Sequence, residues 1–228
     1  MERITLNQAM ENHLRAIHEA LETNEWATTS ECARRLGISS ASVTAMSKKL
    51  SRLKLVKYVP YHGVQLTKLG EKSALEIVRH HRLLELYLSE ALGIPWDRVH
   101  DEAEKLEHVL SEELEERISK SLGDPTQDPH GAPIPARDGT IDHVEYRALS
   151  SVEPGETVTL LRVDDRVPEF LRYLGSMNLY PGTVMKVITV EPLGGLLALR
   201  VCDKEIVLGS QAAGMIRVTA AAKAEQRQ

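Results

Sequence analysis

The spacing of apolar residues along the first 70 positions predicts three helices followed by a β-hairpin. Residues 6–22 carry apolar side chains at the helical period, and Thr28-Thr29-Ser30 supplies a cap for a short second helix. A third helix spans residues 40–53 with one apolar side, and two alternating runs within residues 55–67 are typical of paired strands. This order of elements predicts a winged helix-turn-helix domain.

Beyond this domain the pattern changes, first to long helices and then to short strands. Residues 72–92 predict one helix that ends at Gly93-Ile94-Pro95, and Asp97 caps a second helix that reaches about Leu122. A segment rich in proline and glycine follows, and short alternating runs then predict a small β-barrel, so the fold class is mainly α with β. The predicted boundaries are 1–70 for the winged helix-turn-helix domain, 71–123 for the helical domain, 124–150 for a linker, 151–221 for the β-barrel and 222–228 for a disordered tail.

Composition limits the class of protein further. The chain has 228 residues, 42% of them hydrophobic and 27% charged, which is enough apolar material for one or two cores. Its apolar runs are too short to span a bilayer, and Met1-Glu2-Arg3 leads into a polar helix rather than a signal peptide. The two cysteines, Cys32 and Cys202, are expected to be reduced thiols. We therefore expect a cytoplasmic protein without a membrane partner.

The net charge of −5 conceals two segments of opposite sign. Residues 28–68 contain eight Lys and Arg and one acid, for a net +7, whereas residues 69–123 contain seven basic and thirteen acidic residues, for a net −6. The predicted helix 40–53 combines small residues near its start with basic residues further along, which suits insertion into the major groove of double-stranded DNA. The predicted DNA contacts are Ser39, Ala41, Ser42, Thr44, Ala45, Lys48, Lys49 and Arg52.

Histidine and carboxylate side chains are concentrated in the acidic segment. His81 and Glu85 stand at i and i+4 on its first predicted helix, so they share one face. The second predicted helix carries a stripe about 100° wide, at 100° per residue, that contains His100, Glu104, Glu107 and His108. Imidazole and carboxylate donors without thiolate favour Mn²⁺ or Fe²⁺ over a structural Zn²⁺ site. The alternative interpretation is a solvated acidic face whose histidines are incidental.

The remaining histidines are expected to lie outside this site. His80 points elsewhere on its predicted helix. Ordinary surface or cap positions are expected for His13, His18, His62, His130 and His143.

Several stretches of the chain resemble a known family. They are Glu11-Asn12-His13-Leu14-Arg15-Ala16-Ile17, Arg79-His80-His81-Arg82-Leu83-Leu84-Glu85, Val99-His100-Asp101-Glu102-Ala103-Glu104-Lys105-Leu106-Glu107-His108-Val109 and Gly131-Ala132-Pro133-Ile134-Pro135. On these residues the chain resembles the diphtheria-toxin-repressor (DtxR) family of metal-dependent transcriptional regulators, which has iron-responsive and manganese-responsive (MntR-like) members. The resemblance covers nearly the whole chain. It implies that the C-terminal β-barrel is a Src-homology-3-like, FeoA-type domain.

The resemblance implies two metal sites. The first consists of His81, Glu85 and His100, and the candidates to complete it from the C-terminal domain are Asp165 and Glu169. The second consists of Glu104, Glu107, His108 and, from the first helix, Asn12, with Glu11 as its substitute. Arg82 matches an arginine that contacts an anion near the first site.

Two departures from the iron-responsive members bear on the metal. Those members resemble this chain except that they carry Cys where Glu104 stands and Met where Asn12 stands, whereas manganese-responsive members carry Glu and Asp. Glu104 therefore favours Mn²⁺, with Fe²⁺ as the alternative. Asn12 supplies only a neutral oxygen, so the second site is expected to be weaker or to use Glu11.

Together these patterns predict a homodimeric transcriptional repressor of metal-uptake and homeostasis genes rather than an enzyme. The dimer is expected to form through apolar faces that include Leu83, Leu86, Leu88 and Leu92. Its symmetry predicts a palindromic operator with half-sites ~34 Å, or a multiple of that distance, apart. The alternatives are an Fe²⁺-dependent repressor, a winged-helix regulator of a small organic ligand, and a metallohydrolase, which is disfavoured because the chain has no His-Glu-x-x-His motif.

Overall fold

The computed structural model describes residues 6–142, 144–191 and 195–220, so His143 and the predicted tail 222–228 lie outside the described residues. By its internal contacts the chain divides into two compact units. Unit 1 comprises Met1–His81, Glu104–Arg117 and Pro135–Ile141, and unit 2 comprises Arg82–Ala103, Ile118–Ile134 and Asp142–Gln228. The domain boundaries given above stay predictions.

Unit 1 begins with the predicted winged helix-turn-helix. Its elements are α1 (Gln8–Leu21), α2 (Thr29–Leu36), α3 (Ser40–Arg52), β1 (Val56–Val59) and β2 (Gly63–Leu66). Asn7, Thr28 and Ser39 cap the three helices, because each side-chain oxygen accepts a hydrogen bond from a backbone N–H of the first turn. Gly37 ends α2 with a left-handed φ of 63°, which glycine adopts without steric cost. The two strands pair antiparallel and form the wing.

One apolar core holds these elements together. Leu14 and Ile17 of α1 pack with Val43 and Leu50 of α3, and all four side chains are fully or almost fully excluded from solvent. Each such burial contributes about 1.5–3 kcal/mol to stability. Cys32 of α2 lies in the same core as a free thiol. The apolar period of the sequence therefore fixes which side of α3 faces outward.

Three further helices follow, α4 (Lys68–Glu90), α5 (Val99–Leu106) and α6 (Glu112–Ser121). The prediction of one helix from Asp97 to Leu122 is wrong, because α5 ends at Leu106 and a 3-10 turn occupies Glu107–Val109. The hydroxyl of Ser111 accepts a hydrogen bond from Leu114 N at 3.2 Å and so starts α6. Among the described residues, no helix combines the length and apolar character needed to cross a bilayer.

Unit 2 contains the C-terminal part of α4, whose apolar side is already covered within the chain. Leu83 and Leu86 are buried against Ile134, with Leu122 packed beside them. Leu88 is also buried, whereas Leu92 is 60% exposed. The prediction that Leu83, Leu86 and Leu88 form the dimer contact is therefore wrong, because all three side chains are already buried within the single chain, the first two against Ile134.

A six-stranded antiparallel sheet forms the rest of unit 2, in the order β3-β8-β4-β5-β6-β7. Its elements are β3 (Arg147–Ala148), β4 (Thr157–Val163), α7 (Pro168–Ser176), β5 (Val184–Val190), β6 (Leu196–Val201), β7 (Lys204–Gly209), α8 (Ser210–Gly214) and β8 (Ile216–Ala220). Phe170, Leu171 and Leu174 of α7 join the core of this sheet. This small β domain has the predicted Src-homology-3-like character, and it places the loop after β4 beside the candidate site.

Candidate functional site

The outer side of α3 carries the predicted DNA contacts. Val43 and Leu50 are buried on the inner side, so the opposite side of the helix faces solvent. A shallow depression on that side is lined by Ser40, Ala41, Thr44, Ala45, Lys48 and Arg52. The structure also leaves exposed Ser39, Ser42 and Lys49. Short side chains allow a close approach to base edges, and the cations further along can neutralise phosphates.

A group of ionisable side chains in unit 1, here called cluster A, joins α1 to the segment that follows α5. Its members are Glu11 and Arg15 on α1, His81 on α4, Glu104 on α5, and Glu107 and His108 in the 3-10 turn. Glu107 is 2% exposed and occupies the centre, since its Oε2 lies 2.5 Å from His81 Nδ1 and its Oε1 lies 3.3 Å from His108 Nε2. His108 Nδ1 in turn lies 2.5 Å from Glu11 Oε2.

Arg15 is the fixed positive charge of cluster A. Its Nη2 donates a hydrogen bond to Glu104, and its Nε lies 3.6 Å from Glu107 Oε1. Burial alone would lower the pKa of this guanidinium, but the carboxylates of Glu19, Glu107 and Glu104 raise it above its ordinary value. Arg15 is therefore a buried cation that faces the carboxylates of the second predicted metal site.

A second group, here called cluster B, lies within unit 2 and consists of Glu85, His100, Asp128, His130 and Asp165. Glu85 is fully buried, and its Oε1 lies 3.0 Å from His100 Nδ1. His130 Nδ1 lies 3.7 Å from Glu85 Oε2 and 3.9 Å from Asp165 Oδ2. One donor atom from each of Glu85, His130 and Asp165 lies within 4.8 Å of the others.

His130 is held in cluster B by a tight turn and by the loop after β4. Asp128 Oδ1 accepts hydrogen bonds from the backbone N–H groups of His130 and Ala132, and Val163 N donates to His130 O at 3.0 Å. His130 Nε2 lies 2.7 Å from the carbonyl of Trp96, so Nδ1 is the nitrogen that faces the carboxylates. The prediction that His130 is an ordinary surface residue is wrong, because its side chain is fully buried.

Without a bound metal ion, the carboxylates of cluster B keep the His130 imidazole protonated, and a metal ion that binds there would have to displace this proton. Burial lowers the pKa of His130, but Glu85, Asp128 and Asp165 raise it to about 10. Burial, together with the charge of Glu85, raises the pKa of Asp128 to about 6. The proton on His130 thus offsets part of the negative charge that these acids gather in a site with little solvent.

The four residues of the predicted stripe do not share one helix. His100 lies in unit 2, where it contacts Glu85, whereas Glu104, Glu107 and His108 lie in unit 1. His100 and Glu104 share α5, but Glu107 and His108 lie in the 3-10 turn that follows Leu106, so the prediction of a continuous helical stripe is wrong. His81 precedes Glu85 by one turn of α4 and therefore stands on the same side of that helix, as predicted from the i, i+4 spacing.

Three further candidate ligands, Asn12, Asp165 and Glu169, lie in different environments. Asn12 Oδ1 is buried and has no hydrogen-bond partner among the residues that the structure describes. Of the two C-terminal candidates, Asp165 lies in cluster B, whereas the Glu169 side chain is 76% exposed and pairs with Arg172. The structure therefore corrects the expectation for Glu169.

Arg82, the predicted anion contact, is turned into unit 2. It is 5% exposed, and its Nη1 donates a hydrogen bond of 2.5 Å to the carbonyl of Pro133. Its Nε lies 3.9 Å from Asp128 Oδ2. A carbonyl and a carboxylate thus face this guanidinium, and its contact with an anion stays a prediction.

Both clusters have the donor chemistry of a hard divalent cation. Cluster B offers the imidazoles of His100 and His130 and several carboxylate oxygens, of which Asp128 Oδ2 is buried without a hydrogen-bond partner among the described residues. Cluster A offers the carboxylates of Glu11, Glu104 and Glu107 and the imidazole of His108. Neither cluster includes a thiolate, because Cys32 lies in the winged-helix core and Cys202 is exposed. Such oxygen-rich sets suit Mn²⁺ and Fe²⁺.

Three family models match the chain in succession. The N-terminal DNA-binding domain of iron-dependent repressors matches residues 5–64, and the metal-binding and dimerisation domain of the same repressors matches residues 67–136. The FeoA domain matches residues 147–220. The two clusters draw most of their members from the second span, and Asp165 comes from the third.

Individual relatives agree with this order. The diphtheria toxin repressor of Corynebacterium jeikeium is 31% identical over 204 residues, which cover 79% of this chain and 85% of that protein. The iron-dependent repressor IdeR of Mycobacterium bovis is 36% identical over 125 residues, so the chain spans only about half (54%) of its length. A solved manganese-dependent transcriptional repressor in complex with manganese is 36% identical with a TM-score of 0.88, over 92% of this chain and 99% of that one. With three successive domain matches and this likeness along nearly its whole length, the chain belongs to the diphtheria toxin repressor family of iron-dependent repressors.

Proposed function

We propose that this protein is a metal-dependent transcriptional repressor that binds operator DNA as a homodimer, with Mn²⁺ as its co-repressor. The observation that carries the proposal is the presence, in one chain, of an exposed basic recognition helix and two clusters of histidine and carboxylate side chains. The genes under its control are those of metal uptake and homeostasis.

DNA binding is assigned to α3 and the wing. The small residues Ala41 and Ala45 are exposed in the first turns of α3, and Lys48 and Arg52 follow on the same side. The net charge of +7 over residues 28–68 supplies the attraction for the phosphate backbone. A dimer with twofold symmetry would read a palindrome, whose half-sites repeat at ~34 Å or a multiple of it.

We assign one metal site to cluster B, which includes the predicted ligands Glu85 and His100, whereas His81 lies in unit 1 beside Glu107 and stays a prediction for this site. Its support is the hydrogen bond between Glu85 and His100 and the approach of Glu85, His130 and Asp165 to within 4.8 Å. The second site is cluster A, where Glu104, Glu107 and His108 are the ligands. Glu11 is assigned as the α1 ligand because its carboxylate already contacts His108, which is the role that Asn12 was expected to take.

The preference for Mn²⁺ rests on the donor atoms. Glu104 contributes a carboxylate where a thiolate would favour softer metals, and no cysteine among the described residues lies in either cluster. The relative bound to manganese supports the same choice, whereas the relatives named iron-dependent repressors support Fe²⁺ as the alternative. Metal supply inside the cell also selects the ion, so the comparison of the two metals belongs in the experiment.

The dimer contact is assigned to apolar residues that the single chain leaves exposed. Leu106, Val109 and Leu114 are 41%, 77% and 50% exposed, and they lie in the span that matches the metal-binding and dimerisation domain. Exposed apolar side chains of this size on a helical segment are typical of a protein–protein contact. This contact replaces the predicted one at Leu83, Leu86 and Leu88.

Cluster A supplies the physical link between metal and DNA binding. In cluster A, three carboxylates face one guanidinium, so without a metal ion the cluster keeps unbalanced negative charge even though Arg15 contacts Glu104 and Glu107. Its α1 members, Glu11 and Arg15, belong to the winged helix-turn-helix. A bound divalent cation supplies positive charge that holds α1 to the 3-10 turn. Such a switch needs about 5.5 kcal/mol of differential affinity to reverse a 1:99 equilibrium.

The test is operator binding by the purified full chain in the presence of chelator, Mn²⁺ or anaerobic Fe²⁺. We expect tight, specific binding with Mn²⁺ and only weak, salt-sensitive binding with chelator. Operator binding that is independent of metal would refute the co-repressor role. A clear preference for Fe²⁺ at matched free concentrations would replace Mn²⁺ by the alternative while leaving the repressor assignment in place.

A further inference from the structure

Arg15 contacts carboxylates of cluster A that are assigned to the second metal site. The side chain is 6% exposed, its Nη2 donates to Glu104, and its Nη1 lies 3.3 Å from His81 Nδ1. Its Nε lies 3.6 Å from the buried Glu107 carboxylate. One guanidinium thus contacts two of the carboxylates that are assigned to the second metal site.

A guanidinium and a divalent cation compete for such carboxylates. The Glu104 and Glu107 oxygens nearest Arg15 already face one positive charge, and a second positive charge within a few ångströms is repelled strongly in a site with little solvent. A buried arginine cannot remove the conflict by losing its proton, because its pKa stays far above neutrality. Either the metal is excluded or the arginine moves.

A place for the displaced side chain exists on α1 itself. Glu19 stands one turn after Arg15, with its Oε1 4.0 Å from Arg15 Nη1. The other oxygen of Glu19, Oε2, accepts a hydrogen bond from Arg35 Nη1 at 3.0 Å. Glu19 can therefore accept a hydrogen bond from Arg15 at Oε1 while Oε2 keeps its hydrogen bond with Arg35.

From this geometry we infer that Arg15 is an internal counter-cation of cluster A, which holds Glu104 and Glu107 together without metal and turns toward Glu19 when a divalent cation binds. The inference rests on the proposed metal site in cluster A. It adds that the chain contains its own competitor for that site. Below a threshold concentration of metal, the salt bridge of Arg15 with Glu104 therefore keeps α1 in contact with α5.

The first test measures Mn²⁺ binding to the full chain at about pH 8. The electron paramagnetic resonance signal of free Mn²⁺ reports how much of the metal remains unbound. The variant Arg15→Met removes the competing charge. Arg117→Met is the matched control, since Arg117 pairs with Glu113 on the surface of α6 and is 73% exposed. We expect Arg15→Met to bind the cluster A ion about tenfold more tightly, in line with the loss of a charge-assisted contact. The control should bind as the unaltered protein does.

The outcomes separate this inference from the proposed function. If the unaltered chain binds no Mn²⁺, the metal site itself fails. If it binds Mn²⁺ and a folded Arg15→Met variant binds with equal or lower affinity, the role of Arg15 as a competitor fails while the metal site stands.

A second measurement is made on the unaltered protein and uses a variant only to assign one signal. The Nε–H signal of Arg15, assigned by its disappearance in Arg15→Lys, is followed by nuclear magnetic resonance in the unaltered protein while Cd²⁺ is added as a diamagnetic probe. We expect a signal protected from exchange without metal and a shifted, faster-exchanging signal at saturation. A signal that does not move when the cluster A ligands bind Cd²⁺ would overturn the inference even if Arg15→Met were unfolded.

Discussion

The imidazole of His108 lies 2.5 Å from the carboxylate of Glu11, although 97 positions separate them in the chain. This contact joins the 3-10 turn after α5 to the first helix of the winged domain, within unit 1. The neighbouring Asn12, which the family resemblance suggested, has its side-chain oxygen buried without a hydrogen-bond partner among the described residues. The charged neighbour, and not the neutral one, is thus the α1 residue in contact with a candidate ligand.

The substitution Glu11→Gln is therefore expected to weaken metal binding at cluster A by about tenfold, because one carboxylate ligand loses its charge. Isothermal titration with Mn²⁺ measures the change. Asn12→Ala is the matched variant on the same helix and should retain most of the affinity. A larger loss for Asn12→Ala than for Glu11→Gln would return the ligand role to Asn12.

At cluster B, the change His130→Gln is expected to remove one ligand and lower the number of tightly bound Mn²⁺ ions by one per chain. The reason is that His130 Nδ1 faces both Glu85 and Asp165, and glutamine offers a much poorer donor for a first-row metal. The exposed His62 of the wing provides the control variant, His62→Gln. An unchanged stoichiometry in His130→Gln would remove His130 from the site.

On α3, Lys48→Ala and Arg52→Ala should each weaken operator binding and lower the slope of log affinity against log salt by about 0.9, the value for one lost phosphate contact. Both cations lie on the exposed side of the helix. Lys204→Ala makes the same charge change on the edge strand β7 and should leave the slope alone. Equal slopes for all three variants would contradict the assignment of α3 to DNA.

Dimer formation is expected to depend on Val109 rather than on Leu83. Val109→Asp places a charge on a side chain that is 77% exposed, and it should shift the protein from dimer to monomer in sedimentation while the fold is kept. Leu83→Ala opens a cavity in the core of unit 2 instead, at a cost of about 2–5 kcal/mol in unfolding free energy. A stable but monomeric Leu83→Ala protein would support the original prediction.

The two cysteines should differ in their reaction with iodoacetamide. Burial raises the pKa of Cys32 to about 11, so at about pH 8 only about one thiol in a thousand is ionised. Labelling is therefore expected at the exposed Cys202 alone, with both thiols reacting after unfolding, as mass spectrometry of the peptides will report. Rapid labelling of Cys32 in the folded protein would contradict its placement.

The raised pKa of Cys32 also determines how the free energy of unfolding changes with pH. A thiol whose folded pKa lies above its unfolded value contributes stability below about pH 9, and this contribution is lost as the pH rises through about 11. Cys32→Ala should therefore narrow the difference in unfolding free energy between neutral and strongly alkaline pH. Cys202→Ala serves as the exposed control.

The sequence was most informative where local periodicity decides the structure. The apolar positions around Val43 and Leu50 fix the buried side of α3, and the capping residues Thr28 and Ser39 fix where α2 and α3 begin. The i, i+4 spacing of His81 and Glu85 needs only a continuous helix, which α4 provides. Such features depend on neighbouring residues alone.

The break after Leu106 was missed because no glycine or proline marks it. A signal was present in Ser111, which is followed by two glutamates and begins a new helix through its hydroxyl. The break takes Glu107 and His108 out of α5, so their positions relative to His100 do not follow from counting α-helical turns.

His130 and Arg15 were missed for a different reason. His130 contacts Glu85, which is 45 positions earlier in the chain, and Asp165, which is 35 positions later. Neither separation corresponds to the period of a helix or a strand. Its local signal was the Asp128 side chain, which accepts two backbone N–H groups and shapes the turn. Arg15 gave no local signal, because its partners Glu104 and Glu107 are reached only through tertiary folding.

The hydrogen bond from Val163 N to the His130 carbonyl ties cluster B to strand β4 of the C-terminal domain. Truncation of the chain would therefore affect cluster B and cluster A differently. Gly131 lies so close to β4 that a Cβ atom would come within 1.9 Å of the Leu161 carbonyl oxygen, so this turn is shaped to the strand. A chain that stops near residue 141 would keep every member of cluster A, but it would lose both Asp165 and the strand against which His130 is seated. On the proposed assignment, the C-terminal domain therefore completes one of two metal sites, and a shortened protein would retain only the site in cluster A.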